Sequence, residues 1–313
     1  MNGIINVYKE KGYTSHDVVA RLRGILHQKK IGHTGTLDPE AEGVLPVCVG
    51  NATKVCDLLT DKRKEYEAVL LLGITTDTQD MTGRVLEEKE AEADEDTIVS
   101  VIRSFIGKQM QIPPMYSALK VGGKKLYELA REGIEVERKP RPVTIYDINI
   151  VETDLPRVRF RVECSKGTYI RTLCHDIGQK AGCGGVMESL IRTRVDVFSL
   201  DRARKLSEIE ELIAGGRTEE FLMPVDRLFE TYPAWTVKNE ALKAVMNGNC
   251  ISVDMFYHED GVTSAVTERK MKELCFRKND GRVRVYDDTG RFYGLYEPHS
   301  EHADICRPYK MFL

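Results

Sequence analysis

Apolar and polar residues alternate without a break over residues 157–164 (Arg-Val-Arg-Phe-Arg-Val-Glu-Cys), which predicts a strand with one wet face and one buried face. Residues 143–152 read as the strand before it, 66–73 (YEAVLLLG) as an apolar run of strand length, and 4–9 and 194–200 as shorter strands. Helical spacing appears in Val18, Val19, Leu22 and Ile25, which predicts a helix from a Ser15 cap through His27. Further helices are expected over 96–107, 124–131 (stopped by Gly133) and 167–181. Past about residue 228 the texture changes to a linker at Thr231-Tyr-Pro-Ala, a helix over 237–247 closed by Gly248, and strands at 282–287 and 291–297 around the turn 288–290. The order of elements predicts an α+β fold on a mixed, largely antiparallel sheet with flanking helices, not a doubly wound parallel sheet. Two domains are expected, residues 1–228 and a small β-rich domain at 229–313.

The 313-residue length accommodates both and needs no disulfide or metal to hold a core. No apolar run approaches the roughly 18 residues of a membrane span, and no signal peptide opens the chain, so a soluble, cytoplasmic protein without membrane contact is expected. Eight cysteines include no C-x-x-C pair and no compact zinc spacing, and the His299-Ser-Glu-His302 fragment with Cys306 lacks the remaining ligand spacing. Walker A, dinucleotide-binding and nucleophile-elbow signatures are missing too, so no cofactor and no metal are expected.

Net charge is −3, which by itself suggests no affinity for nucleic acid. Its distribution changes that picture. Residues 87–96 (EEKEAEADED) carry seven acids against one Lys, and the rest of the chain is mildly basic. Basic groups cluster at Lys62-Arg63-Lys64, Lys124-Lys125, Arg138-Lys139 with Arg141, Arg192 with Arg194, and Arg202 to Lys205.

Chemistry concentrates in residues 31–54 (IGHTGTLDPEAEGVLPVCVGNATK). Four glycines and two prolines exclude a regular helix, and glycines let backbone approach a ligand closely. Among its polar side chains stand a trio, His33, Thr34 and Thr36, and one carboxylate directly before a proline, Asp38. Two readings stand at this point: a turn-rich loop in which Asp38 caps the Asp-Pro turn, or a ligand site with Asp38 as its carboxylate.

GHTGTLDPEAEGVL resembles the catalytic motif of the bacterial tRNA pseudouridine-55 synthases, the TruB family. Other stretches resemble that family in the same order: Lys9-Glu-Lys-Gly-Tyr-Thr-Ser-His-Asp17, Lys64-Glu-Tyr66 with Thr76 to Asp80, Gln111 to Lys120 followed by Gly123 to Arg131, Ser165-Lys-Gly-Thr-Tyr-Ile-Arg171, and Gly182 to Arg194. The tail resembles the family's RNA-binding PUA domain through Asn247-Gly-Asn249. Glu10 and Glu42 depart from the family pattern, Glu10 standing where proline is usual.

The resemblance implies a pseudouridine synthase catalytic domain with a PUA-like appendage, working as a monomer on the T arm of tRNA without an obligatory protein partner. It implies Asp38 as the catalytic carboxylate, Arg171 as its ion-pair partner, and Tyr66 as an aromatic able to stack on uracil and move a proton. It places His33, Tyr169 and Leu190 around the substrate. Lys9, Lys64, Lys124, Lys125 and Arg141 are expected to bind it as well, the last three on a thumb-like segment near 110–142. Two other readings remain at this stage, a guide-RNA-dependent synthase subunit and an RNA-binding folding aid for tRNA.

Overall fold

The computed structural model describes residues 1–257, 281–302 and 304–313; Cys275 lies outside them. The chain runs β1 (Gly3–Lys9), α1 (Ser15–Ile25), β2 (Ile31–His33), β3 (Glu42–Val49), α2 (Cys56–Thr60), β4 (Lys64–Leu72), β5 (Ile74–Thr76), β6 (Val85–Glu88), α3 (Glu95–Arg103), β7 (Gly107–Gln111), β8 (Lys120–Val121), β9 (Lys124–Lys125), α4 (Leu126–Arg131), β10 (Arg141–Asp154), β11 (Arg157–Cys164), α5 (Ile170–Ala181), β12 (Gly185–Val195), β13 (Phe198–Ser199) and α6 (Leu206–Ala214). It continues through β14 (Leu222–Met223), β15 (Ala234–Val237), α7 (Asn239–Met246), β16 (Ile251–Ser252), β17 (Phe256–Tyr257), β18 (Val283–Tyr286), β19 (Phe292–Pro298) and β20 (Ile305–Met311).

Two compact units form, 6–47 with 55–221, and 1–5 with 48–54 and 222–313. The larger is built on a sheet in the order β1-β3-β12-β4-β11-β10-β7. β12 runs antiparallel to β4 and parallel to β3, while β4, β11, β10 and β7 pair antiparallel in sequence. Val158, Phe160, Val162 and Cys164 are buried, as their alternation predicts, and pack with Ile98 and Ile102 of α3 and Leu173 and Ile177 of α5. The opposite, wet face carries ion pairs from Arg157 to Glu188 (2.9 Å) and Arg161 to Glu67 (2.9 Å). Exposed pairs of this kind are each worth about 0–1 kcal/mol. The α+β reading therefore holds.

The smaller unit is a six-stranded sheet in the order β16-β20-β19-β18-β15-β17, with Trp235, Val237, Phe256, Val285 and Tyr296 at its centre. This is a small β-rich, PUA-like fold. The unit extends beyond the 229–313 expected from sequence, because Asn51 Nδ2 donates to Phe312 O (3.3 Å) and Lys54 Nζ donates to Met311 O (3.0 Å).

Several element boundaries differ from expectation for local reasons. Thr14, not Ser15, caps α1, through a capping box with Asp17. Ser15 is committed elsewhere: its Oγ accepts from Leu37 N (2.9 Å) and so pins the loop that carries Asp38. The helix expected over 96–107 starts at Glu95, with Asp94 as its cap, and ends at Arg103; Gly107, at φ +114°, instead begins β7. Lys124 and Lys125 pair with Lys120 and Val121 as a short ribbon ahead of α4. Residues 165–169 turn before α5, which leaves Arg171 in the first helical turn. The strand expected at 194–200 is two strands, β12 arriving from Gly185 and β13 after a reversal at Asp196, whose φ is +52°. β15 and β20 had no sequence expectation.

Gly43 sits opposite Arg192 where β3 and β12 pair, with φ +103°. A Cβ there would stand 2.9 Å from Arg192 N and closer still to Arg192 O, both rigid backbone atoms. Gly43→Ala is therefore expected to destabilise the fold by about 3 kcal/mol or more and to lower the thermal midpoint by about 10 °C, read by a calorimetric melt.

Candidate active site

Asp38 lies on the loop between β2 and β3, and four side chains brace that loop through its backbone or that of the adjoining β3. Lys9 Nζ donates to Ala41 O (2.6 Å), Pro39 O (3.0 Å) and Glu10 O (3.2 Å). Ser15 Oγ holds Leu37 N, and Thr34 Oγ1 donates to Pro46 O (3.3 Å). Arg192 Nε donates to Val44 O (2.6 Å), while its terminal nitrogens reach Gly35 O (3.3 Å) and Thr36 O (3.5 Å). Preorganisation of this kind holds the Asp38 carboxylate in one place.

The Asp38 carboxylate meets Arg171 Nε at 2.9 Å. Arg171, from α5, spends its other donors on Asp80 (3.4 Å), Thr78 O (3.1 Å) and Tyr116 O (2.9 Å). One guanidinium therefore ties three separate segments together. Asp80 is fixed in turn by the Thr78 hydroxyl (2.7 Å) and by Thr82 through its backbone (3.0 Å) and hydroxyl (2.6 Å). The Asp38 side chain keeps 42% of its surface exposed, so it is open to a ligand. Surrounding protein still pushes its carboxyl above the usual carboxylate range; Arg171 opposes this and Asp80 adds to it.

Tyr66, on β4, is only 7% exposed and belongs to the core cluster with Leu37 and Leu190. Burial pushes its phenol up to about 12, with a hydrogen bond to Arg192 acting in the opposite direction. Leu190 stands opposite Ala68 in the β12–β4 register. Tyr169 is half-buried, and its backbone is gripped on both sides by the Gln111 side-chain amide (2.8 and 3.0 Å). His33 Nδ1 accepts from Gly35 N (3.3 Å) and its ring meets His16 edge-on; burial lowers its pKa.

The Asp38 carboxylate meets Arg171 and acts on the Tyr66 phenol, while the basic residues expected at the substrate sit in different surroundings. Lys9 is fully buried, its three protons committed to carbonyls, so it is a strut beneath the loop. Lys64 is buried as well, donating to Thr60 O and Lys62 O (2.9 Å each). Burial lowers both ammonium groups to about 8. On the 110–142 segment, Lys124 pairs with Glu132 (3.3 Å) and Lys125 Nζ donates to the Tyr127 hydroxyl (3.1 Å), while exposed Arg141 faces Gln111 across β10 and β7 and acts on the Tyr169 phenol. Glu10 pairs with Lys205 (3.2 Å).

Residues 23–170 match the model of the TruB family pseudouridylate synthase (N terminal domain), and residues 171–230 that of the tRNA pseudouridylate synthase B C-terminal domain. The chain belongs to the TruB family. It is 55% identical to the tRNA pseudouridine synthase B of Lachnoclostridium phytofermentans over 100% of both chains, and 41% identical to that of Bacillus subtilis over 100% of this chain and 98% of the relative. A solved H/ACA RNP bound to a substrate RNA containing 2′-deoxyuridine shares the fold at a TM-score of 0.68 and 26% identity, covering 99% of this chain and 85% of that one.

Sequence reading missed two members of this TruB-family site. Asp80 stood inside a quoted motif without a role, although the Thr-x-Thr-x-Asp spacing suits a carboxylate that caps its own turn. Arg192 read as part of a surface basic cluster with Arg194, yet it is 1% exposed. Its place in an otherwise strand-like run was the available signal, since a buried strand position rarely holds an unpaired cation. Among the described residues no group of three or more His, Cys, Asp or Glu is arranged to hold a metal ion, and no helix is long and apolar enough to cross a membrane.

Proposed function

We propose that this chain is a stand-alone tRNA pseudouridine synthase that isomerises uridine 55 of the T loop, with Asp38 as its catalytic carboxylate. The observation that carries the reading is the 2.9 Å Asp38–Arg171 pair on a loop braced from four sides, within a chain of the TruB family. Full-length relatives named tRNA pseudouridine synthase B support tRNA as the substrate.

The reaction cleaves N1–C1′, turns the uracil, and rejoins it to the ribose through C5, whose hydrogen leaves as a proton while N1 takes one up. Substrate and product are isomers, so no electron donor and no nucleotide hydrolysis is consumed. Attack on C1′, attack on C6 and removal of the C2′ proton all require the same thing, an ionised carboxylate fixed beside the nucleotide. Arg171 favours that ionised form and orients it. The uridine reaches Asp38 only after leaving its stack, at a cost of a few kcal/mol, and stacking on Tyr66 offsets about 1–3 kcal/mol of this. Exposed basic groups of the 110–142 segment serve as phosphate anchors that position the T arm without reading bases.

The test is to incubate the purified chain with an unmodified tRNA transcript and map pseudouridine. Product at position 55 without added guide RNA or protein is expected. Product only with a guide RNA would replace this reading by the guide-dependent one, and tRNA binding without product by the folding-aid one.

A further inference from the structure

Arg192 is the largest side chain among those fully buried, and its described partners are neutral: three backbone carbonyls and the Tyr66 hydroxyl. A buried guanidinium without a carboxylate beside it is costly, and an apolar side chain would serve stability better at such a place. What only the cation can do is make these particular contacts. Arg192 sits directly across from Tyr66 in the β12–β4 pair and across from Gly43 in the β12–β3 pair. It is thus the one described side chain that bonds both the phenol and the Gly35–Thr36 carbonyls leading to Asp38. A guanidinium has five donors and no acceptor, so the Tyr66 oxygen accepts from it and the phenol's own proton is directed elsewhere.

We propose that Arg192 is a positioning residue for the reaction, locking the Tyr66 hydroxyl and the Asp38-bearing loop into one rigid unit. The proposal rests on the reading of Asp38 and Tyr66 as the reacting groups. The other titratable groups acting on the phenol, Cys164 and Asp38, both raise its pKa; Arg192 is the group that lowers it. Its loss therefore removes electrostatic support for negative charge on that oxygen together with the geometric lock.

The test is a kinetic double-mutant cycle on the full chain with Arg192→Met, Arg192→Lys and Tyr66→Phe. Arg192→Met is expected to lower kcat by about 100-fold, the usual loss when reacting groups shift by about 1 Å. tRNA Kd should stay within about threefold, and Arg192→Lys should recover part of kcat by restoring the charge without the fork. If Arg192 acts through the phenol, Arg192→Met combined with Tyr66→Phe is no slower than the poorer single variant, within about threefold. Losses that multiply, or a wild-type kcat in Arg192→Met, overturn the proposal. If Arg192→Met does not fold, the same cycle is run with Arg192→Lys. Should neither fold, the guanidinium nitrogen resonances of Arg192 decide: they should shift on Tyr66→Phe, and unchanged resonances overturn the proposal. Full turnover in both Asp38→Asn and Tyr66→Phe would sink the underlying functional reading instead; an inactive Asp38→Asn beside an unimpaired Arg192→Met sinks this inference alone.

Discussion

Asp38→Asn is expected to abolish turnover while leaving the fold and tRNA affinity nearly intact. The substitution keeps the shape of the side chain and an oxygen able to accept from Arg171 Nε, but removes the charge that every chemically reasonable role of Asp38 needs. The loop does not depend on that carboxylate for its path. Lys9, Ser15, Thr34 and Arg192 hold it through backbone atoms, so their bonds survive. The expected loss in kcat is at least about 10⁴-fold, or about 5.5 kcal/mol of transition-state stabilisation, with tRNA Kd within about threefold. Release of the C5 hydrogen from tritiated transcript measures the first quantity and filter binding the second. Activity within tenfold of the parent would remove Asp38 from its role.

Arg171→Met should damage stability and chemistry together, for separable reasons. Arg171 is buried, and its removal leaves Asp38, Asp80 and the carbonyls of Thr78 and Tyr116 without their donor. Because Asp38 stays partly open to water and Asp80 keeps its bonds to Thr78 and Thr82, the cost should be about 1–3 kcal/mol. Urea denaturation should show it. Turnover should also become more sensitive to acid. With Asp38 in its proposed role, activity should fall as pH drops through the Asp38 pKa, which burial raises. Arg171 lowers that pKa and Asp80 raises it, so without Arg171 the acid limb of the kcat/KM profile moves to higher pH. The stability linkage has the matching sign: a carboxyl whose folded pKa is raised favours folding more as pH falls. Arg171→Lys, which keeps the charge but not the fork, should fall between the two. A profile unmoved in Arg171→Met would mean that the guanidinium does not govern the ionisation of Asp38.

Much of this architecture was readable from local pattern. The alternation of 157–164 settled which side of β11 is buried, and the Gly- and Pro-rich stretch around Asp38 marked where a loop had to stand in place of a helix. Where local reading went astray, a distant partner had claimed the residue. Ser15 looked like a helix cap, but its hydroxyl serves Leu37, so Thr14 took over that role. Lys9 and Lys64 were expected to bind substrate from the family resemblance; each is instead folded inward onto backbone carbonyls.

Residue types and their spacing thus determined by themselves many of the strands and helices, the loop that carries Asp38, and a short list of groups fit for carboxylate chemistry. The tertiary structure alone decided which of those groups meet. Asp38 is joined to Arg171 from 133 positions away in the chain, and Tyr66 to Arg192 only through the register of β4 against β12. The physical reason is the range of the forces involved. Periodicity and capping act over a few residues and leave their mark in local sequence. A buried cation is selected by whichever carbonyls and hydroxyls the sheet register brings within about 3 Å, and no local pattern records that.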